Sequence, residues 1–358
     1  MLALFETLPS TQTIPHAELG QFPTPVEKLD ELGDEVGVES LYVKRDDQSG
    51  TVYGGNKVRK LEFLLGQARA EGYDEVWTVG AIGSHHALAT SIYARQLGLT
   101  PSVLHFPQPV TDHVLDNLRA ISTTQPKLKL ATHKVQLPVE VGKMKVKQWL
   151  STAKDVYYIP GGGSSPVGVL GYVNAALELQ QQIDAGELPE PDVIFVAAGT
   201  CGTLAGLMLG CRLAGMKTDV VGVRVVDKIM ANATMTAHLA NKAGKILTEH
   251  GVEDVPRISS SEVTMLDDYF GKDYGVPTDA GMEAIALAKA HGGLKLEPTY
   301  TGKAFAGLLG EREHLELANK NVLYWHTLSS ADLSERIAQA DVEHDLPSEY
   351  QKFFETSA

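Results

Sequence analysis

Cysteine is scarce. Cys201 and Cys211 are the two cysteines in 358 residues, both inside one apolar segment. They cannot build a disulfide framework and point to a reducing compartment. No apolar run approaches the ~20 residues of a membrane span. The start Met1-Leu2-Ala3-Leu4-Phe5-Glu6 has neither a basic region nor a long apolar core, so no signal peptide is expected and the cytoplasm is the expected location. Positive charge is in deficit: 31 Lys and Arg stand against 45 Asp and Glu, for a net charge of −14. That balance argues against nucleic acids and acidic membranes as partners. Internal repeats and low-complexity tracts are absent, as are a Gly-x-Gly-x-x-Gly fingerprint and a Gly-Lys-Ser/Thr phosphate loop, so a dinucleotide-binding reading is weak. His85 and His86 do not make a metal site, because adjacent helical residues do not face one point; none is expected.

What remains is an alternation of short apolar runs with helical segments. Strands are expected at 41–47, 75–79, 101–106, 127–131, 156–159, 192–197, 220–226 and 321–325. Helices are expected from Lys57 and over 85–97, 110–120, 138–150, 167–183, 203–214, 229–248, 260–269, 279–290 and 303–317, with a short one around Val26–Leu32. The tail from Asp341 reads as a surface helix or a frayed end. Strands separated by helices of this length imply right-handed crossovers and a parallel α/β sheet.

The chain is organised around Gly54-Gly55-Asn56-Lys57-Val58-Arg59-Lys60. Two glycines permit a sharp turn, Asn56 is a good N-cap, and Leu61, Phe63, Leu64 and Leu65 give the following helix an apolar face. Lys57 lies in the first turn, where the helix dipole disfavours a cation by roughly 0.3–1 kcal/mol. That setting favours a neutral amine able to attack an aldehyde, and Lys60, on the same face, can hold an anion. A solvated helix start with ordinary lysines is the competing reading. Gly199-Thr200-Cys201-Gly202-Thr203, between a buried strand and a helix, reads either as a tight turn or as a cradle for one phosphate. Ser84 reads as an N-cap. Tyr274 and Tyr300 are either half-buried aromatics or acid–base groups.

Lys44-Arg45-Asp46-Asp47 followed by Gly54-Gly55-Asn56-Lys57-Val58-Arg59-Lys60-Leu61-Glu62-Phe63 resembles the cofactor-lysine segment of the D-cysteine desulfhydrase and 1-aminocyclopropane-1-carboxylate (ACC) deaminase family. The likeness extends from Phe22 to about Ala331. It implies a pyridoxal-phosphate enzyme of the tryptophan-synthase-β type (fold type II), with two open parallel-sheet α/β domains: a large one from 1–55 plus 165–358 and a small one from 56–164. The cofactor is expected at the strand C-termini.

The resemblance also implies site roles. Lys57 carries the cofactor and moves the substrate Cα proton. Gly199, Thr200, Cys201, Gly202 and Thr203 form the phosphate cup, helped by Lys60. Ser84 takes part in proton transfer, His85 replaces the asparagine that bonds the cofactor's ring hydroxyl, and Thr301 lies near the pyridine nitrogen. Tyr274 and Tyr300 complete the catalytic set. The chain departs from the family pattern at Gly83, at His85 and at Leu328-Ser329, where glycines are expected. The implied reaction is β-elimination from D-cysteine or a related β-substituted D-amino acid, giving pyruvate and ammonia, in a homodimer. ACC deamination, disfavoured by Thr301, and a pyridoxal-phosphate-binding paralogue without lyase activity are the alternatives.

Overall fold

The computed structural model describes residues 1–133, 136–150 and 156–355. In chain order the strands are β1 (Val26–Lys28), β2 (Ser40–Lys44), β3 (Glu75–Ala81), β4 (Thr100–Phe106), β5 (Lys127–Leu130), β6 (Val156–Ile159), β7 (Val193–Ala198), β8 (Asp219–Arg224), β9 (Thr264–Leu266) and β10 (Asn321–Trp325). Two compact units emerge: residues 1–14, 18–63 and 164–331 form the larger, and 15–17, 64–163 and 332–358 the smaller.

The larger unit carries the sheet β1-β2-β10-β7-β8-β9, parallel except for the antiparallel β1–β2 edge. Its alternation is that of strands covered on both faces. Ile194, Val196 and Ala198 of β7 pack into one apolar cluster, and Val193, Phe195 and Ala197 into the other. The helix Pro166–Asp184 is started by Ser165, whose hydroxyl accepts from the Gly168 N–H, with Pro166 at the first position. Helix Asn56–Ala70 crosses it at Gly171, where an added Cβ would lie 2.1 Å from the Arg59 carbonyl oxygen. Only glycine allows that approach.

The crossing encloses a cluster of charge. The Arg59 Nε donates to both Asp46 carboxylate oxygens at 3.0 Å, and its two terminal nitrogens reach Glu178 at 2.9 Å. Lys44 donates to Glu178 at 2.6 Å and to the Thr24 carbonyl at 2.7 Å. Tyr172 and Trp325 donate to Asp46 at 2.6 and 2.7 Å. All four charged side chains are buried. Burial pushes the Glu178 carboxyl up, but Arg59 and Lys44 together outweigh it and hold it down at about 2.

The smaller unit carries the parallel sheet β5-β4-β3-β6. The helix Ser348–Glu355 belongs to it. Tyr350 is buried and its hydroxyl pairs with His105 Nδ1 at 3.1 Å, while Glu349 accepts from the Leu130 N–H at 3.0 Å.

Several expectations are corrected. The 56–164 division does not match the compact units: helix Asn56–Ala70 belongs to the larger unit as far as Phe63, and the tail from Asp332 packs with the smaller. The tail is therefore anchored rather than frayed, because Tyr350 and Glu349 find partners distant in sequence. Val26–Lys28 is a strand instead of a helix, since pairing with β2 satisfies its backbone and Glu27 meets Arg45 at 2.6 Å; the helix follows at Asp30–Val36. The segment 260–269 holds one 3-10 turn, Ser260–Glu262, closed by a Ser259–Glu262 capping box, and then β9 paired to β8. The expected helix 303–317 runs instead over Thr301–Glu311.

Replacing Glu178 with alanine leaves Arg59 and Lys44 to share Asp46. Unfolding in urea at pH 7 should then require about 3–5 kcal/mol less. The folded carboxyl titrates near 2 against an ordinary 4.5, so its stabilisation is complete above about pH 4.5 and is lost as pH falls through about 2. Glu178→Ala should lack that part of the acid limb, and an unchanged pH profile would contradict this assignment.

Candidate active site

The turn before helix Asn56–Ala70 is fixed by the segment after β10. Gly55 has φ +83°, and a Cβ there would meet the Thr327 carbonyl oxygen at 2.7 Å. The Asn56 N–H donates to that same carbonyl at 3.1 Å, and the Gly54 N–H donates to Ser329 Oγ at 2.8 Å. Ser329 replaces an expected glycine, and here its hydroxyl supplies a contact that a glycine could not.

Asn56 is the first helical residue rather than the cap before it. Its side-chain amide donates to Thr203 Oγ1 at 3.1 Å, which ties the start of this helix to the start of helix Gly202–Leu213. Lys57 is partly exposed and, among the described residues, its amine has no hydrogen bond or ion pair. Burial by the surrounding protein lowers it to about 8. The sequence argument assigned this depression to the helix dipole; the structure assigns it to desolvation. Lys60 is buried, and its amine is held well below the ordinary value by burial and then by the neighbouring Lys57.

Gly199–Thr203 leaves the end of β7 and opens helix Gly202–Leu213. Cys201 takes φ +63°, and this turns the Gly202 N–H toward the Ser164 hydroxyl at 3.2 Å. Ser164 and Thr200 share a hydroxyl hydrogen bond of 2.7 Å. A Cβ on Gly202 would lie 2.5 Å from Ser164 Oγ and 3.1 Å from Lys60 Nζ. The space glycine leaves open is thus bordered by a hydroxyl and a cation. The Cys201 thiol is raised by burial and lies 3.8 Å from the Asn232 carbonyl, so it packs rather than reacts.

Tyr300 stands beside this loop, its ring 3.7 Å from where a Cβ on Gly199 would be. Its hydroxyl is paired with that of Tyr274 by a short hydrogen bond. Burial pushes Tyr274 up to about 12 and Tyr300 well above the ordinary phenol value, so both stay protonated. The Glu297 carboxylate anchors this region by accepting from the N–H groups of Thr299, Tyr300 and Thr301 at 2.7, 2.7 and 2.9 Å. The Thr301 hydroxyl accepts from the Glu297 N–H at 2.8 Å and is buried. Next to Thr327 in sequence, His326 is buried, and burial lowers its imidazole to about 4.

In the smaller unit, Ser84 caps helix His85–Gln96 by accepting from the Ala87 N–H at 3.2 Å. His85 Nε2 lies 2.9 Å from His113 Nε2, and Asn117 holds the turn through the Gly83 carbonyl at 2.9 Å. His86 turns into the core and pairs with Thr78 at 2.9 Å.

The larger unit therefore brings Lys57, Lys60, Gly199–Thr203, Tyr274, Tyr300 and Thr301 into linked contacts, while Ser84 and His85 belong to the smaller. Sequence reasoning missed Ser164 and Glu297. The glycine run Gly161-Gly162-Gly163 after a strand was a usable signal for Ser164; nothing local marked Glu297.

The donor set fits a phosphate monoester: the Gly202 N–H at a helix start, the hydroxyls of Thr200 and Thr203, and the Lys60 amine. A Lys57 amine lowered to about 8 beside it fits an aldehyde. A parallel α/β protein with this pairing is one that binds a phosphorylated aldehyde, which is the description of a pyridoxal-phosphate protein.

Comparison with known proteins agrees. The family model described as "Pyridoxal-phosphate dependent enzyme" matches residues 17–327. The D-cysteine desulfhydrase of Yersinia enterocolitica is 35% identical over 332 residues, covering 88% of this chain and 96% of that protein. The D-cysteine desulfhydrase of Salmonella newport is 36% identical over 305 residues, covering 82% and 88%. A solved structure described as an ACC deaminase homologue superposes with a TM-score of 0.76 at 30% identity, covering 93% of this chain and 98% of that one. Threonine deaminase isoform 2 from Solanum lycopersicum, at 19% identity and a TM-score of 0.61, shares the fold. The chain belongs to the pyridoxal-phosphate-dependent enzyme family. The expected cofactor and the expected fold of the tryptophan-synthase-β type are borne out.

Borohydride reduction of the cofactor-loaded protein followed by peptide mapping should place the pyridoxyl group on Lys57; a label on another lysine would refute the assignment. Gly202→Val should weaken cofactor retention roughly tenfold or more, by obstructing a charge-assisted contact. Spectroscopic titration at 410–430 nm reads this, and undiminished retention in a folded variant would count against the cup.

Proposed function

We propose that this chain is a lyase that eliminates the β-substituent from D-cysteine or a related β-substituted D-amino acid, giving pyruvate and ammonia. Two relatives carrying the name D-cysteine desulfhydrase cover most of the chain. The observation that carries the choice of reaction is Thr301. The residue after Tyr300 is uncharged, and its hydroxyl is already bonded within the Glu297 turn. Position 301 therefore supplies no carboxylate to keep a pyridine nitrogen protonated. Elimination tolerates the weaker electron sink, because a thiol departs readily.

Pyridoxal phosphate, when bound, supplies the conjugated ring that stores the electron pair released at Cα. Gly199–Thr203 and Lys60 hold its phosphate. Lys57, once free as a neutral amine, takes the Cα proton. The Cβ–S bond then breaks, and the Tyr274–Tyr300 pair, protonated at neutral pH, delivers a proton to the departing sulfur. The released 2-aminoacrylate hydrolyses to pyruvate and ammonia. Ser84 assists proton transfer and His85 contacts the ring hydroxyl in this reading, both on the strength of their positions in the motif. The homodimer and the cytoplasm belong to the same reading, supported by the resemblance and by the scarcity of cysteine.

ACC deamination is the second reading, favoured by the superposition on the ACC deaminase homologue. Incubation with D-cysteine, β-chloro-D-alanine and ACC separates the two. Pyruvate, with sulfide from D-cysteine, is the expected product, with little or no 2-oxobutanoate from ACC. Efficient turnover of ACC with none of the D-amino acids would reverse the order, and no product from any substrate would favour the paralogue without lyase activity. The elimination rate should rise as pH is raised toward about 8, where Lys57 loses its proton, and Lys57→Arg, which keeps its charge, should be inactive.

A further inference from the structure

The two serines that follow the glycine turn have different duties. Gly162 and Gly163 take φ +68° and +66° and reverse the chain after β6. Ser165 then caps its own helix through the Gly168 N–H at 3.2 Å. Ser164 has no part in that cap. Its hydroxyl reaches the first residue of a different helix, where it accepts from the Gly202 N–H at 3.2 Å and pairs with Thr200 Oγ1 at 2.7 Å.

The first N–H groups of a helix have no partner within it and are the groups an incoming anion uses. The Gly202 N–H is shared between the Thr200 carbonyl at 2.9 Å and Ser164 Oγ at 3.2 Å, so Ser164 Oγ stands on the side from which such an acceptor would approach. The same hydroxyl lies 2.5 Å, and the Lys60 amine 3.1 Å, from where a Cβ on Gly202 would stand. Lys60 and Thr200 are groups already assigned to the phosphate. A hydroxyl is both donor and acceptor and rotates about a single bond. It can thus accept from Gly202 in the absence of an anion and turn its O–H toward an anion oxygen when one arrives.

We infer that Ser164 is a direct ligand of the cofactor's phosphate: it releases the Gly202 N–H to the phosphate and donates its own O–H to a second phosphate oxygen. The role concerns the phosphate ester alone and does not depend on which amino acid is the substrate. Once the Ser164 proton is on the phosphate, the Thr200 hydroxyl donates to Ser164 Oγ, so Thr200 then orients Ser164 while Ser164 takes over the hydroxyl donation to the phosphate.

The test uses protein freed of cofactor with hydroxylamine and titrated separately with pyridoxal phosphate and with pyridoxal, which lacks the phosphate. Ser164→Ala should weaken pyridoxal phosphate about tenfold or more, the scale of a lost charge-assisted hydrogen bond, and leave pyridoxal affinity unchanged. Ser164→Thr, which retains the hydroxyl, should restore most of the loss. Ser164→Cys, similar in size but a poor donor, should show the same phosphate-selective loss even if the alanine variant fails to fold. Inorganic phosphate should compete with pyridoxal phosphate more weakly in the alanine and cysteine variants than in the wild type. Undiminished or tighter binding of pyridoxal phosphate by either variant overturns the inference. An equal loss for both aldehydes also overturns it, by showing that Ser164 only supports the loop.

Discussion

Two buried cations and two buried anions hold the larger unit in register. Arg59 lies between Lys57 and Lys60 on one helix and is gripped by Asp46 after β2 and by Glu178 on helix Pro166–Asp184. Lys44 completes the set through Glu178. Each charge loses its hydration, and the loss is offset only where opposite charge and hydrogen bonds meet it in a fixed geometry. Tyr172, Trp325 and Thr24 supply the remaining bonds to Asp46. A small rotation of helix Asn56–Ala70 would break several of these bonds at once. The amine of Lys57 is held in place by the same constraint, two residues away.

Beside this rigid cluster the site collects two amines whose charged forms burial disfavours. The Lys57 and Lys60 amines are both depressed by burial, and Lys57 further lowers Lys60. An anion in the cup relieves that cost for Lys60, while burial lowers the Lys57 amine to about 8 and so favours its neutral form. A phosphorylated aldehyde satisfies both needs with one molecule. The tyrosine pair is tuned in the opposite sense: burial holds both phenols protonated, as an acid requires. Burial thus moves the amine toward its neutral form and the phenol pair toward its protonated form.

The Glu297 turn decides how that acid is presented. One carboxylate accepts three successive N–H groups, including that of Tyr300, and so fixes the backbone from which the ring projects. Thr301 closes the turn from the other side. The residue after Tyr300 is thus an uncharged threonine whose hydroxyl is taken up by the turn.

Strand–helix alternation, the Gly-Gly-Asn-Lys turn and the Gly199–Thr203 loop were legible in the residues, because apolar periodicity and glycine mark such places locally even where distant segments complete them. Asn321–Trp325, a short run whose last four residues are apolar, was placed to the residue. Tertiary structure decided the rest. Val26–Lys28 became a strand because β2 was available to pair with it, a fact absent from its own sequence. Asn56 gave up the N-cap role for Thr203, about 150 positions away. Lys57 is depressed by the protein that surrounds it, which a helix position alone does not reveal. Ser164 carried no local signal of its contact with Gly202, which the fold brings to it from 38 positions away. Local propensity acts within a turn or two of helix, whereas desolvation and hydrogen-bond pairing at the site depend on which distant segments the fold brings together.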